Sequence, residues 1–143
     1  MHLVEMEIKN FLGIGKGRIT FSNDGLTLIE GINHDSPSSK SNGAGKSSIP
    51  EALFWVLYGK TKRGLSGDDV INNRASKGDG VKVELLFKIG DEPYKLVRAR
   101  DDKNYGTGLF LYWMKKGPEF EDLTKGTVKE TQKVLEELIK CQN

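Results

Sequence analysis

Residues 42–48 read Asn42-Gly43-Ala44-Gly45-Lys46-Ser47-Ser48. Upstream lies the short apolar run Leu26-Thr27-Leu28-Ile29. Downstream, Ile49, Ala52, Leu53, Val56 and Leu57 recur at i, i+3, i+4, i+7 and i+8. The first pattern predicts a strand buried on both faces, and the second predicts one side of an α-helix. A glycine-bearing loop between a strand and a helix is the setting that a phosphate-binding loop needs. Glycines let successive N–H groups curl towards one anion, and the helix N-terminus adds unpaired donors and the positive end of its dipole. Lys46 is placed to reach the β- and γ-phosphates of a nucleotide, and Ser47 to give its hydroxyl to Mg²⁺. The predicted nucleotide contacts are therefore Asn42, Gly43, Ala44, Gly45, Lys46, Ser47 and Ser48, with Lys46 as the catalytic cation and Ser47 as the metal ligand.

The match to G-x-x-x-x-G-K-[ST] is partial, because Lys40 stands where the first glycine belongs. Lysine takes a positive φ less readily than glycine, so the loop is expected to enter differently. Gly31 reads as the strand end and residues 32–41 as an insertion. Pro50, about one turn into the helix, deletes a hydrogen bond and predicts a small kink.

Outward from this centre the periods are clear. Val4, Met6 and Ile8 alternate with Glu5, Glu7 and Lys9, which predicts a half-buried strand. Residues 10–17 read as a turn-rich connection, Arg18 to Phe21 as a short strand, and Asn23-Asp24-Gly25 as a turn. Residues 60–80 read as a polar loop with one helical turn. Val81 to Ile89, Tyr94 to Arg100 and Leu109 to Met114 are β-rich runs with short links, the pattern of an antiparallel meander. Thr127 and Glu130 form a capping box for a last helix whose apolar side holds Leu135, Leu138 and Ile139. The expected class is α/β in one domain over residues 1–143, with a mixed sheet, an antiparallel meander and two main helices. The first helix is expected at about 45–58, the strands of the meander at about 81–114, and the last helix at about 127–141.

Composition narrows the function classes. The chain has 143 residues, with 22 basic and 20 acidic side chains for a net charge of +2. That balance excludes a strongly basic nucleic-acid clamp and an acidic tail, but not a local basic patch. One cysteine, Cys141, and two histidines, His2 and His34, exclude an internal disulfide and a cysteine- or histidine-rich metal centre. The longest apolar run is far below the roughly 20 residues that cross a bilayer. The acids within the first residues do not suit a signal peptide, so a cytoplasmic protein without a membrane partner is the expectation. The 17 glycines point to tight loops.

Several residues carry two readings each. Lys60, Lys62 and Arg63 are a basic patch for phosphates or a solvated loop. Asp68 and Asp69 are a metal pair or a helix cap, and capping is favoured. Arg98 and Arg100 share a strand face and read as a solvent face or an ion-pair site. Trp55 and Tyr58 read as core packing. Tyr112 and Trp113 read as a covered sheet face or a partner anchor. The chain stops at Asn143 without a C-cap signal, which reads as a truncation within a larger protein.

The order of motifs resembles the N-terminal lobe of an SbcC-type, SMC-like ATPase, the large subunit of double-strand-break repair nucleases, with its nearest likeness to the bacteriophage recombination endonuclease subunits. Glu7-Ile8-Lys9-Asn10-Phe11 resembles the family's opening strand. Residues 42–48, Glu51-Ala52-Leu53 and Leu57-Tyr58-Gly59-Lys60-Thr61 resemble its P-loop helix and exit. Leu65-Ser66-Gly67-Asp68-Asp69-Val70-Ile71-Asn72 resembles the loop that follows, and Leu123-Thr124-Lys125-Gly126-Thr127 the approach to a coiled coil. The resemblance implies an ABC-type P-loop ATPase head split in two. A C-terminal lobe of the same protein supplies the Walker B acid and signature motif, a second copy sandwiches ATP and Mg²⁺, and a nuclease subunit and DNA are partners. It implies ATPase activity for the whole protein and none for this lobe alone. Leu12 stands where many members carry a basic residue, and Gln142 comes too early for the family's Q-loop glutamine. Two other readings stay open: a non-catalytic interaction module with a degenerate P-loop, and a small P-loop kinase, which the antiparallel run does not suit.

Overall fold

The computed structural model describes residues 1–22, 25–33, 44–62, 64–65, 67–72, 75, 79–114 and 120–140, with side chains outside 22–47. Strands β1 (His2–Phe11), β2 (Ile14–Ser22) and β3 (Gly25–Asn33) are followed by helix α1 (Ala44–Tyr58) and a 3-10 turn at Gly67–Val70. Then come β4 (Val81–Ile89), β5 (Glu92–Asp102), β6 (Gly106–Trp113), the two-residue β7 (Glu121–Asp122) and helix α2 (Val128–Lys140). The strands form one sheet in the order β3-β2-β1-β4-β5-β6-β7. All the pairings between these strands are antiparallel. Two meanders of sequence neighbours therefore meet at one seam, β1 against β4.

Period-2 alternation sorts the sheet into two faces. Met6, Ile8, Val83, Leu85, Phe87, Leu96 and Leu111 form the apolar face, with Trp55 and Val56 of α1 and Leu135 of α2 packed on it. Trp55 lies 5.5 Å from Phe11, ring centre to ring centre. Burying each such side chain contributes about 1.5–3 kcal/mol. The opposite face carries charges in register: Glu7 opposite Arg18 and Glu84, and Lys9 opposite Lys16 and Lys82. Arg18 donates to Glu7 at 2.6 Å, and Lys95 lies 3.4 Å from Glu84.

The meander matches the expected antiparallel runs. The β4–β5 turn is tighter than the sequence suggested, with Gly90 at φ 63 and Glu92 and Pro93 already within β5. The final helix starts as its capping box predicts, since Glu130 N–H donates to Thr127 Oγ1 at 3.2 Å. Three expectations change. The 10–17 connection shrinks to Leu12 and Gly13, because Gly15 and Gly17 lie in β2 and the left-handed conformations fall on Asn10 (φ 55) and Leu12 (φ 48). β3 runs on to Asn33, and among the described strands it stands at the sheet edge, paired with β2 alone. A short apolar run does not distinguish a central strand from an edge strand. Arg98 is not at a solvent face, and among the described residues it forms no ion pair; it is buried and bonded to both helices.

Lys9, on the charged face, binds two acids. Its Nζ donates to Asp79 at 2.9 Å and also to Asp102. Burial alone would raise Asp102, but the Lys9 ammonium and the N–H groups of Tyr105 and Asn104 outweigh it and hold the carboxyl below its usual range. The same ammonium lowers Asp79 directly. Depressed carboxyls stabilise the fold above the unfolded value near 3.8, and lose that contribution as pH falls through their folded values. Unfolding midpoints are therefore expected to drop steeply below about pH 4. Lys9→Met should make that drop smaller. Equal acid slopes in urea melts of the two proteins would contradict this role.

Candidate functional site

Of the predicted contacts, Ala44, Gly45, Lys46, Ser47 and Ser48 form the first turn of α1. Asn42 and Gly43 lie outside the described residues, as do Lys40 and the side chains of Lys46 and Ser47. No acidic residue occupies that first turn. A helix N-terminus without a carboxylate in its first turn suits an anion, because the first amides of a helix have no partner within it and the dipole favours negative charge there. The helix continues through Pro50, which is exposed.

Ser48 is described and is buried. Its Oγ accepts the N–H of Gly13 at 3.4 Å, so the first turn of α1 leans on the β1–β2 turn. That turn is held from its other side by residues 70–72. Leu12 N–H donates to Val70 O at 2.8 Å, and Asn72 N–H to Asn10 O at 2.8 Å. Asn72 Nδ2 donates to Leu12 O at 2.5 Å. Asn10 Nδ2 donates in turn to Asp79 O at 2.8 Å and Gly80 O at 3.1 Å. Sequence reasoning did not single out Asn10 or Asn72 for any role. Asparagine's tolerance of left-handed backbone was the available signal at Asn10; nothing marked Leu12.

At the other end of α1, Arg98 Nε donates to Val56 O at 3.2 Å and its Nη2 to Gln132 Oε1 at 2.5 Å. Gln132 Nε2 donates to Leu57 O at 2.7 Å. Burial pushes the Arg98 guanidinium down to about 10, which leaves it cationic at neutral pH. This cation faces the negative end of the α1 dipole.

Arg100 Nε donates to Asp68 at 2.7 Å, so Asp68 is an ion-pair partner. Among the described residues no group of three His, Cys, Asp or Glu side chains is arranged to hold a metal. Lys60 and Lys62 are exposed, and Arg63 lies outside the described residues together with His34 and Cys141. Trp55 is core as read, whereas Tyr58, also read as core packing, is exposed at the last residue of α1; Trp113 Nε1 donates to Glu92 at 2.8 Å. On the charged face a groove of about 570 Å³ is lined by Lys9, Lys16, Arg18, Lys82, Glu7 and Asp79 among others, away from the helices. Its cations Lys9 and Arg18 already hold carboxylates.

A helix start free of acids and an antiparallel meander thus lie together in one α/β fold. Residues 5–143 match a protein family described as an AAA domain. The chain belongs to this AAA-domain family. It is 32% identical over 106 residues to a DNA double-strand break repair Rad50 ATPase of Archaeoglobus fulgidus, covering 74% of this chain and 10% of that protein. A protein of the same description from Methanocaldococcus jannaschii is 34% identical over 110 residues, covering 77% of this chain and 10% of its own length. A component of the nuclease SbcCD of Deinococcus radiodurans is 29% identical over 98 residues, covering 68% of this chain and 11% of that protein. The chain spans about a tenth of the length of the curated relatives it matches. The likeness to SbcC-type ATPases read from the motifs is met by these archaeal and bacterial relatives, which do not support the likeness to bacteriophage members. The fold is that of a P-loop ATPase N-terminal half within the AAA-domain family. Among the described residues no helix is long and apolar enough to cross a membrane.

Proposed function

We propose that this AAA-domain chain is the ATP-binding N-terminal lobe of a DNA double-strand-break repair ATPase. The observation that carries the reading is the family match across residues 5–143, which includes Ala44 to Ser48 opening α1. Lys46 offers a point charge to the β- and γ-phosphates, and Ser47 a hydroxyl to Mg²⁺. The backbone N–H groups of residues 42–48 offer donors to the phosphates between them. When bound, Mg²⁺ supplies charge neutralisation at the phosphate oxygens.

Residues 1–143 then act as one lobe of a split head, with α2 leading towards a coiled coil. Hydrolysis needs an acid to orient water and a donor set on the γ-phosphate, which the C-terminal lobe and a second copy provide. The assembled protein works with a nuclease subunit on DNA, as the names of its relatives suggest, and its expected place is the cytoplasm.

The test is MgATP binding to this chain by calorimetry, beside Lys46→Ala. The native chain is expected to bind, and the variant to bind roughly tenfold more weakly or worse, since hydrogen bonds to charged groups are worth about 1.5–3 kcal/mol. If the native chain fails to bind MgATP alone and again with the C-terminal lobe supplied, the chain is an interaction module with a degenerate loop.

A further inference from the structure

We propose that Asn72 is a positioning residue that clamps the Asn10–Gly13 turn against Ser48 in the first turn of α1 and so supports nucleotide binding at that helix start. The proposal rests on the phosphate-binding reading of that helix turn. Asn72 reaches the turn twice, through its backbone N–H to Asn10 O and through its side-chain amide to Leu12 O. Between those two carbonyls, Leu12 N–H is taken by Val70 O, and Phe11 bridges Ile71. The turn is thus closed on both sides of Leu12.

Closure is needed because Leu12 sits at φ 48. A leucine left to itself avoids that region, where its Cβ crowds the following carbonyl oxygen. Such a conformation persists only where the surroundings over-determine it. Once Leu12 is held there, Gly13 N–H faces Ser48 Oγ, one residue beyond Ser47 in the same helical turn. The clamp has its own anchor. Ile71 N–H donates to Asp68 O at 3.1 Å, and the Asp68 carboxylate accepts from Arg100 on β5 at 2.7 Å. A continuous set of contacts therefore runs from the sheet through residues 68–72 and the β1–β2 turn to the start of α1.

Asn72→Ala keeps the backbone bond and removes the side-chain donor, leaving Leu12 O without it. It is expected to weaken MgATP binding roughly fivefold to tenfold. Hydrogen exchange should rise in peptides covering 8–14 and 44–52, with no change over 128–140. In a Leu12→Gly background the left-handed conformation costs little, so Asn72→Ala should lose less than half as much affinity there. An Asn72→Ala protein that melts earlier but binds MgATP as tightly as the native chain overturns the proposal, because a purely structural residue would behave so. Equal affinity losses in both backgrounds also overturn it. If the native chain binds no MgATP, the phosphate-binding reading fails on its own, and the exchange experiment then decides. A rise confined to 8–14 and 44–52 supports the clamp, and unchanged exchange at 44–52 refutes it.

Discussion

Gly80→Ala should destabilise the chain by at least about 3 kcal/mol, the upper range for overpacking a filled site. A Cβ at this position would lie 1.9 Å from Arg100 O and 2.7 Å from both the carbonyl carbon and oxygen of Asp101. These are backbone atoms, so no rotamer change relieves the clash. Gly80 is also tied from both of its own polar groups. Its N–H donates to Asp101 O at 2.9 Å, and its carbonyl accepts Asn10 Nδ2. Relief therefore requires β4 to part from the end of β5, where Val81 pairs with Arg100, and that movement pulls on the Lys9 pairing with Asp102. Gly126→Ala is the matched control, since its Cβ would meet nothing within 4 Å. Urea unfolding of the two variants should differ by most of the predicted loss, and a Gly80→Ala midpoint equal to the control would rule out the close approach.

Arg98→Ala should cost about 3 kcal/mol or more, by a different route. Arg98 is 7% exposed, and its guanidinium joins three elements, donating to Val56 O of α1 and Gln132 Oε1 of α2 from a position on β5. Truncation leaves a cavity, with the buried Val56 O and the half-buried Gln132 Oε1 each short of a donor. Arg98→Met fills most of the same space without a buried charge, and should cost about half as much, since apolar replacement of buried ions is often well tolerated. Urea melts of the two variants give the comparison. If alanine and methionine destabilise equally, volume is not the issue and the loss lies in the two hydrogen bonds. If neither destabilises, the joint between α1 and α2 does not depend on Arg98.

These positions also mark where sequence reading stops. The meander from Val81 to Trp113 was legible because one side of a sheet is apolar and the other charged, and that alternation has a period the eye can follow. The start of α2 was legible because Thr127 and Glu130 act over three residues. The candidate phosphate loop was read as chemistry from the spacing of Gly43, Gly45, Lys46 and Ser47; of these, Gly45, Lys46 and Ser47 are described, by backbone alone, in the first turn of α1. What failed depends on distant partners. Arg98 looked like a surface cation because nothing local says that Val56 and Gln132 will enclose it. Gly15 and Gly17 looked like a turn, while the actual turn fell on Asn10 and Leu12, held by Asn72 far along the chain. Gly80 looked like one more loop glycine, and its demand for space comes from a strand that follows it by some twenty residues.

The seam between β1 and β4 has a kinetic consequence. Every other strand pairing in the sheet joins sequence neighbours. The seam brings together residues such as Asn10 and Gly80, 70 positions apart. Closing a long loop costs entropy before its contacts repay it, and topologies rich in distant contacts fold more slowly. The hairpins on either side can zip up early and independently, but the two halves become one sheet only when this join is made. A newly synthesised chain that stalls before it would carry two partial sheets, each with an uncovered apolar side and an unpaired edge at β1 or β4, which are the features that make nascent chains stick to one another.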